Sequence, residues 1–129
     1  MAKEEQIKSQ IILEGEKEYR SACKGINTSL REIGSEMKLA TAEFGDNAES
    51  IDALTRKQDI LKKSLEEQAK KAKAAEDALK KMRDGGIEPT NPAYQKMQTA
   101  LNNTKADMVK IQKEIDDTSE KLKKSKIDW

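Results

Sequence analysis

Residues 51–82 decide the fold, and they read IDALTRKQDILKKSLEEQAKKAKAAEDALKKM. Within this stretch, apolar or small residues and two glutamines return at alternating spacings of three and four. The repeating positions are Ile51, Leu54, Gln58, Leu61, Leu65, Gln68, Ala72, Ala75, Leu79 and Met82. A repeat of this kind, sustained over several heptads, predicts a long helix that packs along one seam, as helices do in a coiled coil.

A second seam follows a loop at residues 84–90, which contains two glycines and a proline. After the loop, Asn91 is a suitable N-cap and Pro92 suits the first position of a helix. The same alternating spacing then connects Tyr94, Met97, Leu101, Thr104, Met108, Ile111, Ile115, Thr118 and Leu122. The sequence therefore predicts a second long helix of about the same length.

The two seams match when they are folded against each other about the loop. Facing residue numbers then add up to 176, as for Leu79 with Met97 and Gln58 with Thr118. We therefore predict an all-α fold with a long antiparallel coiled-coil helical hairpin at 47–124, with arms at about 47–83 and 91–124. The expected seam residues are Leu54, Leu61, Leu65, Ala75, Leu79, Met97, Leu101, Met108, Ile111, Ile115 and Leu122.

Residues 1–44 carry a less regular pattern. Residues 7–13 place β-branched side chains at alternate positions before Gly15, which favours a short strand within an extended segment at 1–15. A ragged extension of the following helix is the alternative. Residues 16–44 predict one helix, or two if the chain breaks at Gly34. Gly45 suits a C-terminal cap, and Asp46, with Glu49 three residues later, suits the next N-cap.

Residues 16–44 also carry an apolar stripe at helical spacing. We expect this stripe to pack on the hairpin or to pair between copies of the chain. The candidate self-association or partner face comprises Tyr19, Ile26, Leu30, Ile33, Met37 and Phe44. Cys23 lies beside the stripe and is interpreted as a small core residue. In the loop, Ile87 is expected to be exposed and available to a partner.

The composition excludes several functional classes. The 129 residues include no His, one Cys, and 25 Lys and Arg against 24 Asp and Glu. Histidine metal sites, Ser-His-Asp triads and an internal disulfide are therefore impossible. A net charge near zero without a basic face argues against dedicated nucleic-acid binding, and no apolar run approaches the roughly 20 residues of a membrane span. We predict no enzyme activity, catalytic residue, cofactor, metal site or small-molecule substrate.

Several segments resemble a known family. They are Ile12 to Tyr19, Ile26-Asn27, and above all the run from Gly34 to Asn47, which reads GSEMKLATAEFGDN. The chain resembles, over roughly residues 10–125, the N-terminal region of tail tape measure proteins of long-tailed phages and prophages, which are also described as phage-related minor tail proteins.

The resemblance implies a structural role. Tape measure proteins are long helical chains that occupy the tail tube and whose length sets the tail length. The implied partners are other copies of the chain, the tail tube protein, tail assembly chaperones and tail-tip proteins. The implied location is the host cytoplasm during assembly and then the virion. We expect the natural chain to continue beyond Trp129.

A second interpretation belongs to a different class of function. A strand joined to a helical hairpin is also similar to the layout of prefoldin-type chaperone subunits, whose hairpin tips hold client proteins. The alternative function is thus a stand-alone helical-hairpin binding module or chaperone-like adaptor. Exposed apolar surface at the hairpin tip would favour it.

Overall fold

The computed structural model describes the backbone of residues 2–127 and the side chains of residues 3–125. This part of the chain is almost entirely helical. Helix α1 spans Ala2–Phe44, a short 3-10 turn spans Gly45–Asn47, helix α2 spans Ile51–Asp84, and helix α3 spans Pro92–Ile127. The predicted all-α class is therefore confirmed. Trp129 lies outside the described residues.

The strand predicted at residues 7–13, and with it the extended segment at 1–15, is wrong, because α1 is already helical from Ala2. Ile11 and Ile12 pack against the core instead of alternating between two faces. A helix satisfies its own backbone hydrogen bonds, whereas a lone strand needs a partner strand. The alternative prediction for this segment, an extension of the following helix, is confirmed. Residues 16–44 belong to one helix, because α1 continues without a break past Gly34.

The caps of α2 and α3 differ in how well they were predicted. Asn91 does cap α3, because its Oδ1 accepts a hydrogen bond of 2.9 Å from the backbone N–H of Ala93. The N-cap predicted at Asp46 is wrong, because Asp46 lies in the 3-10 turn. Ser50 caps α2 instead and accepts a hydrogen bond of 3.1 Å from the Ala53 N–H. Gly45, directly after α1, has a φ of 45°, which suits glycine.

The end of α2 buries Ile87, so the expectation that this side chain is exposed is wrong. Gly86 has a φ of 83°, and its N–H donates to the Arg83 oxygen while the Ile87 N–H donates to the Met82 oxygen. This pair of bonds is a Schellman motif, in which the residue after the glycine contacts the last turn of the helix. Ile87 is accordingly 4% exposed and packs in the same cluster as Met82.

Helix α2 lies between the other two helices and packs against both. Toward α3, contacts join Arg83 to Tyr94 and Gln58 to Ser119. Toward α1, the Lys81 ammonium lies 2.7 Å from Glu18. Further along the same two helices, the Lys63 ammonium lies 3.4 Å from Glu36.

The main core lies at the loop end of the molecule, where all three helices meet. Its largest fully buried side chain is Met82, which has no exposed surface. Ile11, Ile12 and Tyr19 of α1 pack against this cluster from outside. The buried members of the core are Ala72, Ala75, Ala78, Leu79, Met82, Ile87, Tyr94, Met97 and Leu101.

Candidate interaction groove

Two separate cavities lie along α2 between α1 and α3, and together they are called the groove. It exists because α1 and α3 both pack mainly on α2 rather than on each other along the described residues. One cavity lies toward each end of α2. The loop-end cavity, near the start of α3, has a volume of about 320 Å³. The turn-end cavity, near the turn between α1 and α2, has a volume of about 240 Å³.

The loop-end cavity combines apolar walls with basic side chains. Tyr19 and Cys23 of α1 line it together with Met97 of α3. Four charged residues also line it, and three of them are basic: Glu16, Arg20, Lys71 and Lys96. Such a cavity suits an apolar ligand surface that carries negative charge at its edge.

Tyr19 is the described residue whose ionisation departs furthest from its ordinary value. Burial raises the pKa of Tyr19 from 10.0 to about 12, helped by a hydrogen bond to Cys23 and by the negative charge that the Cys23 sulfur carries when ionised. The shift therefore affects the ionisation of Tyr19 only at alkaline pH. Cys23 is a free thiol, 8% exposed, as a small core residue would be.

The turn-end cavity has an apolar interior and a mixed rim in which carboxylates predominate. Met37, Ala40 and Phe44 of α1 face Leu54 of α2 and Thr118 of α3 across it. The charged residues that line it are Glu49, Lys57, Glu114, Asp117 and Lys121. The ammonium of Lys121 is already engaged, because it lies 3.1 Å from a Glu49 carboxylate oxygen.

Three members of the stripe predicted as a self-association or partner face line the cavities, Tyr19 at the loop end and Met37 and Phe44 at the turn end. Ile26 is buried, at 8% exposed. The other five members of the stripe are half-buried: Tyr19, Leu30, Ile33, Met37 and Phe44. The stripe thus packs on the rest of the chain while keeping part of its surface open. Its role in self-association stays a prediction.

The seam residues of the predicted hairpin divide into two sets. The buried set comprises Leu54, Leu61, Ala75, Leu79, Met97, Leu101 and Ile115. The half-buried set comprises Leu65, Met108, Ile111 and Leu122. Most of the half-buried set lies on α3 beyond Leu101, away from the main core.

A second buried set on α2 escaped the sequence analysis. Ala53 and Ile60 are buried one position before the seam residues Leu54 and Leu61. Ala78 is buried as well, and its backbone oxygen faces Gly15 of α1. Buried residues at neighbouring heptad positions widen the apolar stripe of a helix. That width is the signal that α2 packs against two helices.

Ion pairs support the packing of α1 on α2. The ammonium of Lys81 lies 2.7 Å from Glu18 and 3.7 Å from Glu14. The hydrogen bond to Glu18, with the charges of both carboxylates, raises the pKa of Lys81. Exposed pairs of this kind contribute little free energy individually. They therefore favour one register of α1 along α2 but add little to the stability of the packing.

No helix in the described part of the chain has the length and apolar character needed to cross a lipid bilayer. Among the same residues, no three Cys, Asp or Glu side chains converge on a position where they would hold a metal ion. Comparison with protein-family models, with curated proteins and with solved structures finds no match for this chain.

Proposed function

We propose that the chain is the N-terminal segment of a phage tail tape measure protein and acts as a structural element in tail assembly and tail length determination. In this proposal α2 and α3 form an antiparallel coiled-coil hairpin, and the chain performs no catalysis. Its partners are other copies, the tail tube protein, tail assembly chaperones and tail-tip proteins. It resides in the host cytoplasm during assembly and then in the virion.

The observation that carries the proposal is the elongated helical architecture. The three helices contain 43, 34 and 36 residues, which correspond to about 50 to 65 Å each at 1.5 Å per residue. They lie side by side, so that the molecule is a rod. A rod of helices suits a protein that extends along a tube. The resemblance of residues 34–47 to tape measure sequences supports the proposal that this tube is a phage tail.

The first test is the reading frame of the source gene beyond the codon for Trp129. We expect several hundred further codons of helical, heptad-rich sequence, within a cluster of tail genes. A stop codon directly after Trp129 would overturn the length-determining role. In the long frame, insertion of helical residues should lengthen the tail by about 1.5 Å per residue, while substitutions that keep the number of residues should leave tail length unchanged.

The alternative, a stand-alone binding module or chaperone-like adaptor, has one observation in its favour. Ile7 and Leu13, near the loop end of the rod, are 58% and 65% exposed. Against it, the apolar side chains at the tip itself, Met82, Ile87 and Tyr94, are buried. Suppression of the aggregation of an unfolded client by the purified chain, lost in an Ile7→Ser/Leu13→Ser variant, would support the alternative over the tail role.

A further inference from the structure

All three helices line the loop-end cavity. Tyr19 and Cys23 of α1 and Met97 of α3 supply apolar walls, and α2 contributes Lys71. The volume of the cavity is about 320 Å³, near the lower limit of the roughly 300–1,000 Å³ that is typical of small-molecule pockets. Its size therefore suits a small molecule better than a segment of another protein.

The charges that line this cavity do not balance. Its three cations, Arg20, Lys71 and Lys96, each come from a different helix. Glu16 is the one carboxylate that lines it. Among the side chains of residues 3–125, none of these four takes part in an ion pair of 4.0 Å or less. Glu16 and Arg20 lie four positions apart on α1 and offset each other in part, which leaves the two lysines uncompensated.

The sequence around the two lysines explains why they lack partners. Glu67 lies four positions before Lys71, but its carboxylate is engaged 3.0 Å from the ammonium of Lys70. Residues 89–106 contain no Asp or Glu, so Lys96 has no acidic neighbour on its own helix. Lys71 is also half-buried. Partial burial of a charge without a counter-charge costs free energy, and an anion bound in the cavity would offset that cost.

We propose that the loop-end cavity binds a small monocarboxylate with an apolar body, of about the size of octanoate. The apolar body lies against Tyr19 and Met97, and the carboxylate accepts charge-assisted hydrogen bonds from Lys71 and Lys96. A single negative charge fits better than a phosphate dianion, because Glu16 lines the same cavity and repels further negative charge. This inference goes beyond the structural function proposed above and does not depend on it.

Such a ligand connects α1 to the other two helices. The residues that line the cavity come together only when α1, α2 and α3 are packed against one another, so the ligand binds the folded rod and not the unfolded chain. Binding to the folded state alone raises the free energy of unfolding in proportion to the logarithm of the ligand concentration. The ion pairs of Lys63 and Lys81 with α1 are exposed and contribute little individually, so the ligand supplements the contacts that hold α1 in place.

Titration calorimetry of the chain with octanoate tests the inference. We expect one site per chain with a dissociation constant below about 1 mM, and a melting temperature that rises with octanoate concentration. Butanoate, which lacks four methylenes, should bind at least about tenfold more weakly. Octylammonium, which has the same chain and the opposite charge, should not bind. Absence of saturable octanoate binding up to about 10 mM, or equal affinity for octylammonium, would overturn the inference, whatever the reading frame shows.

Removal of the two cations tests which charges are used. Lys71→Gln/Lys96→Gln should weaken octanoate binding at least about tenfold, because two charge-assisted hydrogen bonds are lost. The matched control is Lys62→Gln/Lys113→Gln, which changes the net charge equally at exposed lysines that line neither cavity and should leave the dissociation constant unchanged. Equal weakening in both variants would mean that only the overall charge of the chain attracts the anion, and would overturn the proposed site.

Filling the cavity tests the place of binding without changing any charge. Ala100 lines the cavity, and Ala100→Phe should weaken octanoate binding at least about tenfold, because the ring occupies the space of the apolar body. The matched control is Ala106→Phe, at an exposed position of the same helix that lines neither cavity, and it should bind as the parent chain does. Unchanged affinity in a folded Ala100→Phe variant would overturn the cavity as the site. If circular dichroism shows that Ala100→Phe is unfolded, the lysine variants decide the question.

Discussion

At the scale of single residues, two glutamines of the same seam have opposite environments. Gln58 donates hydrogen bonds from its side-chain nitrogen to the Ser119 hydroxyl and to the backbone oxygen of Ile115. The side-chain oxygen of Gln68, in contrast, is buried, and no donor among the described residues reaches it. A buried acceptor without a donor costs about 1–3 kcal/mol, so Gln68 weakens the seam where Gln58 supports it.

We therefore expect Gln68→Met to raise the free energy of unfolding by about 1–3 kcal/mol, because methionine has a similar length and no carbonyl to desolvate. Gln58→Met is the matched control and should lower the free energy of unfolding, because it leaves the Ser119 hydroxyl without its donor. Urea unfolding followed by circular dichroism measures both. A loss of stability in Gln68→Met would mean that the amide oxygen has a partner in solution.

Because of Tyr19, the free energy of unfolding should depend on pH in the alkaline range. Its pKa is about 12 in the folded chain against 10.0 for the exposed side chain. The neutral hydroxyl therefore contributes stability that is complete below pH 10 and is lost as the pH rises through 12. Tyr19→Phe should remove this contribution, so that the variant loses less stability than the parent chain between pH 9.5 and 11.5. Parallel curves for the two chains would refute the burial of the phenol.

At the scale of elements, the contact between α1 and the end of α2 depends on Gly85. A β-carbon at this position would meet Cδ1 of Ile11 at 2.6 Å and Cγ2 at 2.9 Å. The φ of Gly85 is −84°, which any residue adopts, so the restriction comes from the neighbouring helix and not from the backbone. Gly85 thus allows α1 to approach the end of α2 closely.

We expect Gly85→Ala to destabilise the protein by about 1–3 kcal/mol, the usual cost of forcing extra atoms into a packed contact. The combination Gly85→Ala/Ile11→Ala should lose less than the sum of the two single changes, because the added methyl then meets a smaller neighbour. Thermal melts of the three variants measure this coupling. Additive losses would mean that Ile11 does not pack on Gly85.

Gly25 is the matched control within α1, because a β-carbon there would meet nothing within 4 Å. Gly25→Ala should raise the free energy of unfolding by about 0.5–1 kcal/mol, the difference in helix propensity between the two residues. A destabilising effect measured in the same melts would indicate that another surface covers Gly25.

The sequence indicated some elements better than others for physical reasons. The heptad repeats of α2 and α3 are long, and the Asn91-Pro92 pair marks the start of a helix by two independent effects, so both signals are strong. Residues 7–13 are short, and their isoleucines fit a strand and a helix alike. The burial of Ile87 arises from a Schellman motif, whose hydrogen bonds depend on the positive φ of Gly86 and not on hydropathy.

At the scale of the whole molecule, the rest of the rod covers the start of α1 poorly. Ile11 lies over Gly85 at the end of α2, while the side chains of residues 3–10 are exposed. This segment of about 12 Å has little support beyond its own helix, although Cε of Lys8 would lie 3.8 Å from a β-carbon at Gly86. By contrast, residues 75–82 of α2 contribute four buried side chains to the main core: Ala75, Ala78, Leu79 and Met82.

Hydrogen exchange should reflect this difference. We expect the amides of residues 6–10 to exchange with little protection, because short helical ends fray. The amides of residues 75–82 should exchange only on global unfolding. Equal protection of both segments at low protein concentration would contradict the weak packing of residues 3–10 on the rest of the chain.

The groove could not be predicted from the sequence, because it forms only when three helices take definite positions. Each feature that places α1 is weak by itself: the buried Ala53, Ile60 and Ala78, the small Gly15, and the exposed ion pairs of Lys63 and Lys81. The apolar stripe of α1 was visible in the sequence, but a periodic stripe does not specify whether another part of the same chain or a second copy covers it.

The odd number of helices has a mechanical consequence. Helix α1 begins beside the loop, whereas α3 begins at the loop and runs to the opposite end, where Lys121 meets Glu49. The start of α1 and the end of α3 therefore lie at opposite ends of the rod. Tension applied between these two points would slide α1 and α3 along α2, so that many contacts would bear the force together. A two-helix hairpin has both helix ends on the same side. Tension on it would separate the helices one layer of contacts after another.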